Sequence, residues 1–149
     1  MTTAPEFSSL AAAIVAADGA GGTTPKVAPA LDAAAASGAY TLFAPDNAAF
    51  TALGTAPTGQ ALTDVLLYHV LNESTAIYAA DALALSSATP FNTLLGNTAN
   101  EQITISSPST TVVLDDAGTA EVGAVNGPNY FTSNGVIHKA DKVLIPNSN

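Results

Sequence analysis

The chain has no cysteine and no arginine, and only two histidines and three lysines. Without cysteine there is no disulfide, no thiolate nucleophile and no zinc–thiolate site. The three lysines (Lys26, Lys139, Lys142) stand against twelve acidic residues, for a formal charge of −9. Nucleic-acid binding depends on clustered Lys and Arg to neutralise phosphates, and so does docking on anionic lipid heads. The chain is therefore a poor candidate for nucleic-acid binding, and docking on anionic lipid is disfavoured by the same argument. The acidity itself reads as a solubility device, with adaptation to salt or attraction of divalent cations as the alternatives. No apolar run approaches the roughly 20 residues that span a bilayer, so direct membrane insertion is not expected. The stretch LAAAIVAA at 10–17 has no basic residue before it and does not read as a signal peptide. An exported form would have lost its signal already, and Met1 would be an added start.

Charge is scarce in both signs. Charged residues make up 10% of the chain, against about 25% in average soluble domains. The surface must then be built from Thr, Ser, Asn, Gly and Ala, a composition common in secreted proteins. Hydrophobic content is an ordinary 48%, and 149 residues suffice for one domain, 1–149, with a single substantial core.

The first half reads as helical. Phe7, Leu10, Ile14 and Val15 recur at helical spacing, with Ser8 or Ser9 as cap and Gly19 as stop. DGAGGTTP (18–25) is a connector, and a second helix capped by Thr24 or Ala28 runs through Leu31 to Gly38. YTLFA (40–44) is a short strand closed by Pro45, and Asp46 caps a helix NAAFTAL that Gly54 terminates. A further helix is predicted from Thr58 or Gly59 to Leu71. Beyond residue 90 the pattern changes to short strands: FNTLL, QITIS, TVVLD, AEVGAV, NYFTS, GVIHKA and KVLIP. Turn signals separate them, among them NGPN and the Asn134–Gly135 dipeptide that feeds the last hairpin. The fold class is α+β.

Catalytic and metal signatures are thin. Leu62, Val65, Leu66 and His69 share one helix face, which turns the His69 ring toward the core. Tyr68 faces a neighbouring direction, at the rim. In GVIHKA, Val136 and His138 share one strand face, where a half-exposed histidine is the default. Two histidines with no third histidine or cysteine do not make a transition-metal site, whichever of Asp46, Asp64 or Asp141 is added. Ser133, His138 and Asp141 can be written as a triad, but no G-x-S-x-G elbow accompanies them. Calcium-loop and phosphate-loop spacings are absent as well. Asn72-Glu73-Ser74 is an N-glycosylation sequon, meaningful in a eukaryotic secretory protein.

Three stretches do carry a pattern: TLFAPDNAAF (41–50), LLYHVL (66–71) and NGVIHKADKVLIP (134–146). In order and spacing they resemble the three signature segments of the fasciclin-domain family, over nearly the whole chain (core about 6–146). The signature positions are Thr41, Phe43, Pro45, Asp46 and Phe50, then His69, then Asn134, Gly135, His138 and Asp141. The resemblance implies a wedge-shaped β-sandwich of about seven strands with several helices packed along one side. It implies a non-enzymatic extracellular adhesion module, with no cofactor and no catalytic residue. Its location would be extracellular or cell-surface, or periplasmic in a Gram-negative cell. Its partner would be a cell-surface or matrix protein, and Tyr68 and His69 become the candidate partner-binding residues. It would act as a monomer or as part of a multidomain protein. No Asp-Ile motif of the kind linked to integrin binding in animal members occurs. The alternative reading is a glycan- or small-ligand-binding domain of a secreted protein, using aromatics such as Tyr130 and Phe131.

Overall fold

The computed structural model describes residues 4–19, 26–36, 39–108, 110–116, 123–133 and 135–147. Residues 20–25, Gly38 and Asn134, to which the sequence assigns a connector, a helix end and a turn, lie outside the described residues.

A 3-10 turn, Pro5–Phe7, leads into α1 (Ser8–Asp18), followed by α2 (Val27–Ala36). The cap of α1 comes from elsewhere than the sequence predicts. Neither serine caps α1 with its own side chain; Oδ1 of Asn47 accepts from the Ser9 amide at 2.9 Å instead. The Asp18 carboxylate, at the end of α1, accepts the Val27 and Ala28 amides at 2.6 and 2.8 Å. A carboxylate at a helix N-terminus satisfies orphan donors and suits the dipole. Strand β1 (Tyr40–Pro45) follows, then α3 (Asn47–Leu53), whose predicted cap is in place: Asp46 Oδ1 accepts from the Ala49 amide at 2.9 Å. Gly54 ends α3 at φ +73°, a left-handed value that glycine adopts without penalty.

Helix α4 (Gln60–Tyr68) stops three residues earlier than predicted. Val70–Leu71 leave it to form β2, antiparallel to Thr41–Leu42 of β1, so strand pairing overrides the helical pattern. A five-residue helix α5 (Ala79–Leu83), which the sequence did not announce, precedes the strand-rich half. There β3 (Thr89–Phe91), β4 (Ile103–Ser106), β5 (Val113–Asp115), β6 (Gly123–Phe131) and β7 (Gly135–Ala140) follow. Residues 123–125 of the predicted strand AEVGAV and 129–131 of NYFTS belong to the single β6, and residues 120–122 lie outside the described residues. The NGPN between them is an irregularity inside that strand, where the register against β7 shifts and Asn129 takes φ 58°. KVLIP is not a strand; Val143 and Leu144 are buried in an irregular tail.

The strands form one sheet in the order β2-β1-β7-β6-β5-β4-β3. This corrects the expectation of two facing sheets. The two edges of the sheet meet: Leu71 bridges to Thr93, the Leu94 amide donates to the Val70 carbonyl at 2.8 Å, and the Asn72 amide donates to the Asn92 carbonyl at 2.9 Å. The sheet is therefore nearly closed into a barrel, which hides backbone groups that an open edge would expose. Inside it pack Phe43, Tyr68, Leu71, Ile103, Ile105, Leu114 and Leu144. Outside, Leu10, Val27, Leu62 and Leu66 of the helices cover Ala44 of β1, which is thus buried on both faces. No helix among the described residues is long and apolar enough to cross a membrane.

Candidate functional site

The three signature segments, far apart in the chain, are neighbours in space. They supply β1, β2 with the end of α4, and β7, which lie side by side in the sheet. β1 and β7 run parallel, with Phe43 opposite His138. Their rings stack at a centroid distance of 5.6 Å and an interplanar angle of 26°.

His69 is at the centre of this arrangement and only 1% exposed. Nδ1 lies 2.7 Å from the Val65 carbonyl, and the Leu144 amide donates to Nε2 at 2.9 Å. That pair fixes the tautomer: Nδ1 carries the proton and donates, while Nε2 accepts. The His69 carbonyl also accepts the Phe43 amide at 2.9 Å. One residue thus ties α4, β1 and the C-terminal tail together. Burial pushes the imidazole down from 6.5 to about 4, against the Val65 hydrogen bond and the Asp116 carboxylate, which favour the charged form. At neutral pH the ring is uncharged, with both nitrogens spent on backbone.

Tyr68, expected at the rim, is fully buried inside the barrel. Its hydroxyl donates to the Gln102 carbonyl at 2.7 Å, just before β4. The end of α4 thus carries Tyr68 into the barrel cluster, while Leu62 and Leu66 face the other helices. Neither member of the Tyr68–His69 pair presents surface to a partner in this conformation.

His138 was expected to be half-exposed and is 2% exposed. The strand alternation did predict its company, since Val136, His138 and Ala140 are all buried on one face of β7. Its Nε2 lies 2.7 Å from the Ile77 carbonyl, and its Nδ1 accepts the Asn129 amide at 3.1 Å. Burial holds its pKa below the ordinary histidine value, opposed by the Ile77 hydrogen bond.

The remaining signature residues do structural work. Thr41 Oγ1 accepts the Ile77 amide at 2.8 Å. Asp141 Oδ1 accepts the Ala124 amide at 2.7 Å, fixing the start of β6. Pro45 is buried where β1 ends, and Phe50, on α3, packs against the helical cluster of Leu10, Leu62 and Leu66. At Gly135 a Cβ would come within 2.5 Å of the Tyr40 carbonyl oxygen, so the parallel pairing of β1 and β7 needs glycine there.

What reaches the surface is a set of rings at the far end of β6. Phe131 is 73% exposed, Tyr130 41% and Tyr78 39%. Phe131 and Tyr78 contact each other at 5.9 Å between centroids. Tyr130 meets Phe7 edge-on at 6.0 Å and donates its hydroxyl to Glu6 at 3.2 Å, while Glu6 also pairs with Lys139 at 3.6 Å. Tyr130 and Phe131 were singled out from the sequence; Tyr78 was not, because the helix it leads into was not recognised.

A separate open cleft of about 650 Å³ lies between the α3–α4 connection, residues 95–101 and the tail. Its walls are mainly apolar, with Asp64 and Glu101 as the acidic groups. Among the described residues, no group of three or more histidine or acidic side chains is placed to hold a metal ion.

A family model described as the fasciclin domain matches residues 5–146. Among solved structures, the chain is similar to that of a FAS1 domain pair from the insect cell adhesion molecule Fasciclin I. The identity is 14%, the TM-score 0.60, and the match covers 88% of this chain and 42% of that one. At that identity the likeness concerns the fold, and this chain spans less than half the length of its match. No curated protein sequence matches the chain.

Proposed function

This chain belongs to the fasciclin-domain family, and from that premise we propose a non-enzymatic surface-interaction module that binds a protein partner. The module belongs to an extracellular or cell-surface protein and acts alone or as one domain of several. The observation that carries the reading is the exposed aromatic pair of Tyr78 and Phe131, whose rings contact each other, with Tyr130 exposed on the other side of β6. Aromatic residues are enriched at protein interfaces because they offer large contact area at low entropic cost. On a surface this poor in charge they are the groups with most to gain from burial.

In this reading Tyr68 and His69 contribute indirectly, by holding together the core on which the face stands. Both histidines spend both ring nitrogens on backbone groups, which leaves neither a lone pair nor a proton for a substrate. That supports a binding role over a catalytic one. Matrix proteins and intact cell surfaces probed with the immobilised domain provide the test. Phe131→Ser and Tyr78→Ser each weaken capture at least tenfold with melting nearly unchanged; equal capture by the folded variants refutes the reading.

A glycan partner is the second reading, favoured by the same rings standing on a Thr- and Asn-rich surface, since sugar faces stack on aromatics. A glycan array with no signal above background removes it.

A further inference from the structure

Both sides of the exposed aromatic face are tied to one buried ring. Tyr78 sits between Ile77 and Ala79. The Ile77 carbonyl is held by Nε2 of His138, and the Ala79 amide donates to Oδ1 of Asn129 at 3.0 Å. Asn129 in turn donates its own amide to Nδ1 of His138 at 3.1 Å, and lies two residues before Phe131. The same asparagine is held at φ 58°, in the left-handed region that a non-glycine residue adopts at a cost. The histidine therefore clamps residues 77–79 to 129–131, and its ring sets the spacing at which Tyr78 and Phe131 touch.

We infer that His138 is the positioning residue of this face, and that protonation of its ring releases the face from the rest of the fold. The clamp needs one ring nitrogen to donate and the other to accept. A protonated imidazole has two donors, so its Nδ1–H would oppose the Asn129 N–H. Loss of that bond frees Asn129 to relax from its left-handed conformation, and the Ala79 amide then loses its acceptor.

The ring's surroundings offer no substitute partner for the added charge. Phe43 on β1, Ala79 and Ala82 on α5, Val112 before β5, Val125 on β6 and Ile77 enclose it around a void of about 10 Å³. Of the charged residues on the adjoining elements, Asp81 accepts the Tyr78 amide, Lys139 pairs with Glu6, and Asp115 at the end of β5 is exposed to solvent. Burial keeps the ring neutral at ordinary pH, so the clamp is closed there and opens only in acid.

The adhesive consequence, release of a partner in acidic surroundings, rests on the docking role proposed above. The coupling itself is testable without any partner. We expect an NMR titration of the whole chain, from neutral pH down to the onset of unfolding, to give one midpoint for three signals. These are the His138 ring, the Asn129 amide and the Ala79 amide, and the cross-peaks between the Tyr78 and Phe131 rings should vanish with them. His138→Gln, whose amide donates and accepts without titrating, should keep those cross-peaks across the same range. Asn129→Gly, which suits the left-handed backbone but removes the side-chain link, should weaken them at neutral pH while core amides stay in place. Ring cross-peaks that persist until the whole chain unfolds overturn the inference, as does an Asn129→Gly protein with its ring contact intact.

Discussion

The two histidines have the same chemistry and serve different regions. Each is buried and neutral, and each bonds backbone groups through both ring nitrogens. His69 joins α4, β1 and the tail, all of them interior, so its bonds hold the barrel to the helical layer. His138 joins residues 77 and 129, each next to an exposed aromatic, so its bonds hold a surface. A buried imidazole acts as a two-ended staple, and what it does depends on whether its partners lead inward or outward.

The largest effect that sharpens this comparison comes from His69→Ala. It leaves the Leu144 amide and Val65 carbonyl unpaired and opens a cavity, which together cost about 3–5 kcal/mol. For a chain of this size that lowers Tm by about 6–20 °C, readable by circular dichroism. A loss under about 1 kcal/mol would remove the lock from the account.

Acid comes next. The folded His69 pKa of about 4 lies below the unfolded value of 6.5, so the unfolded chain takes the proton first. Its contribution is therefore complete above about pH 6.5 and is lost as pH falls toward about 4, by roughly 3 kcal/mol in all. Burial lowers His138 in the same direction. Urea unfolding at a series of pH values should show this fall, and a His69→Gln protein should show a shallower one. Equal slopes would assign the acid sensitivity to His138 and the carboxylates instead.

Asp46→Ala removes the cap of α3 and should cost about 1 kcal/mol, measured by the shift in urea midpoint. Smallest of all is Phe131→Ser, within about 0.5 kcal/mol of the parent, because the ring is mostly in water. A large stability loss there would mean that the aromatic face is structural.

The sequence made some of these positions readable and hid others for physical reasons. Alternation in GVIHKA put Val136, His138 and Ala140 on one face, and helix chemistry named Asp46 as a cap. Those are local properties, fixed by period and side-chain type. The burial of His138 was not legible, because its cover comes from Ile77 and Ala79, about sixty residues away in the chain. Strand β2 and helix α5 are too short to carry a period, and only their pairing and packing hold them. NGPN has turn chemistry, yet the left-handed Asn129 was used to kink a strand rather than to reverse it. Tyr68 was misplaced because its cover comes from the barrel, among it Ile103, Ile105 and the Gln102 carbonyl, and not from the apolar face of its own helix.

The central claim is that a histidine-locked core carries an aromatic docking face at its edge. It is tested most directly by capturing matrix proteins and cell surfaces on three folded proteins: the parent, a Tyr78→Ser/Phe131→Ser double variant, and His69→Gln. All three are compared at a temperature well below every melting point. The account expects capture to be lost in the double variant and kept in His69→Gln. Capture that survives in the double variant and fails in the folded His69→Gln protein would contradict it.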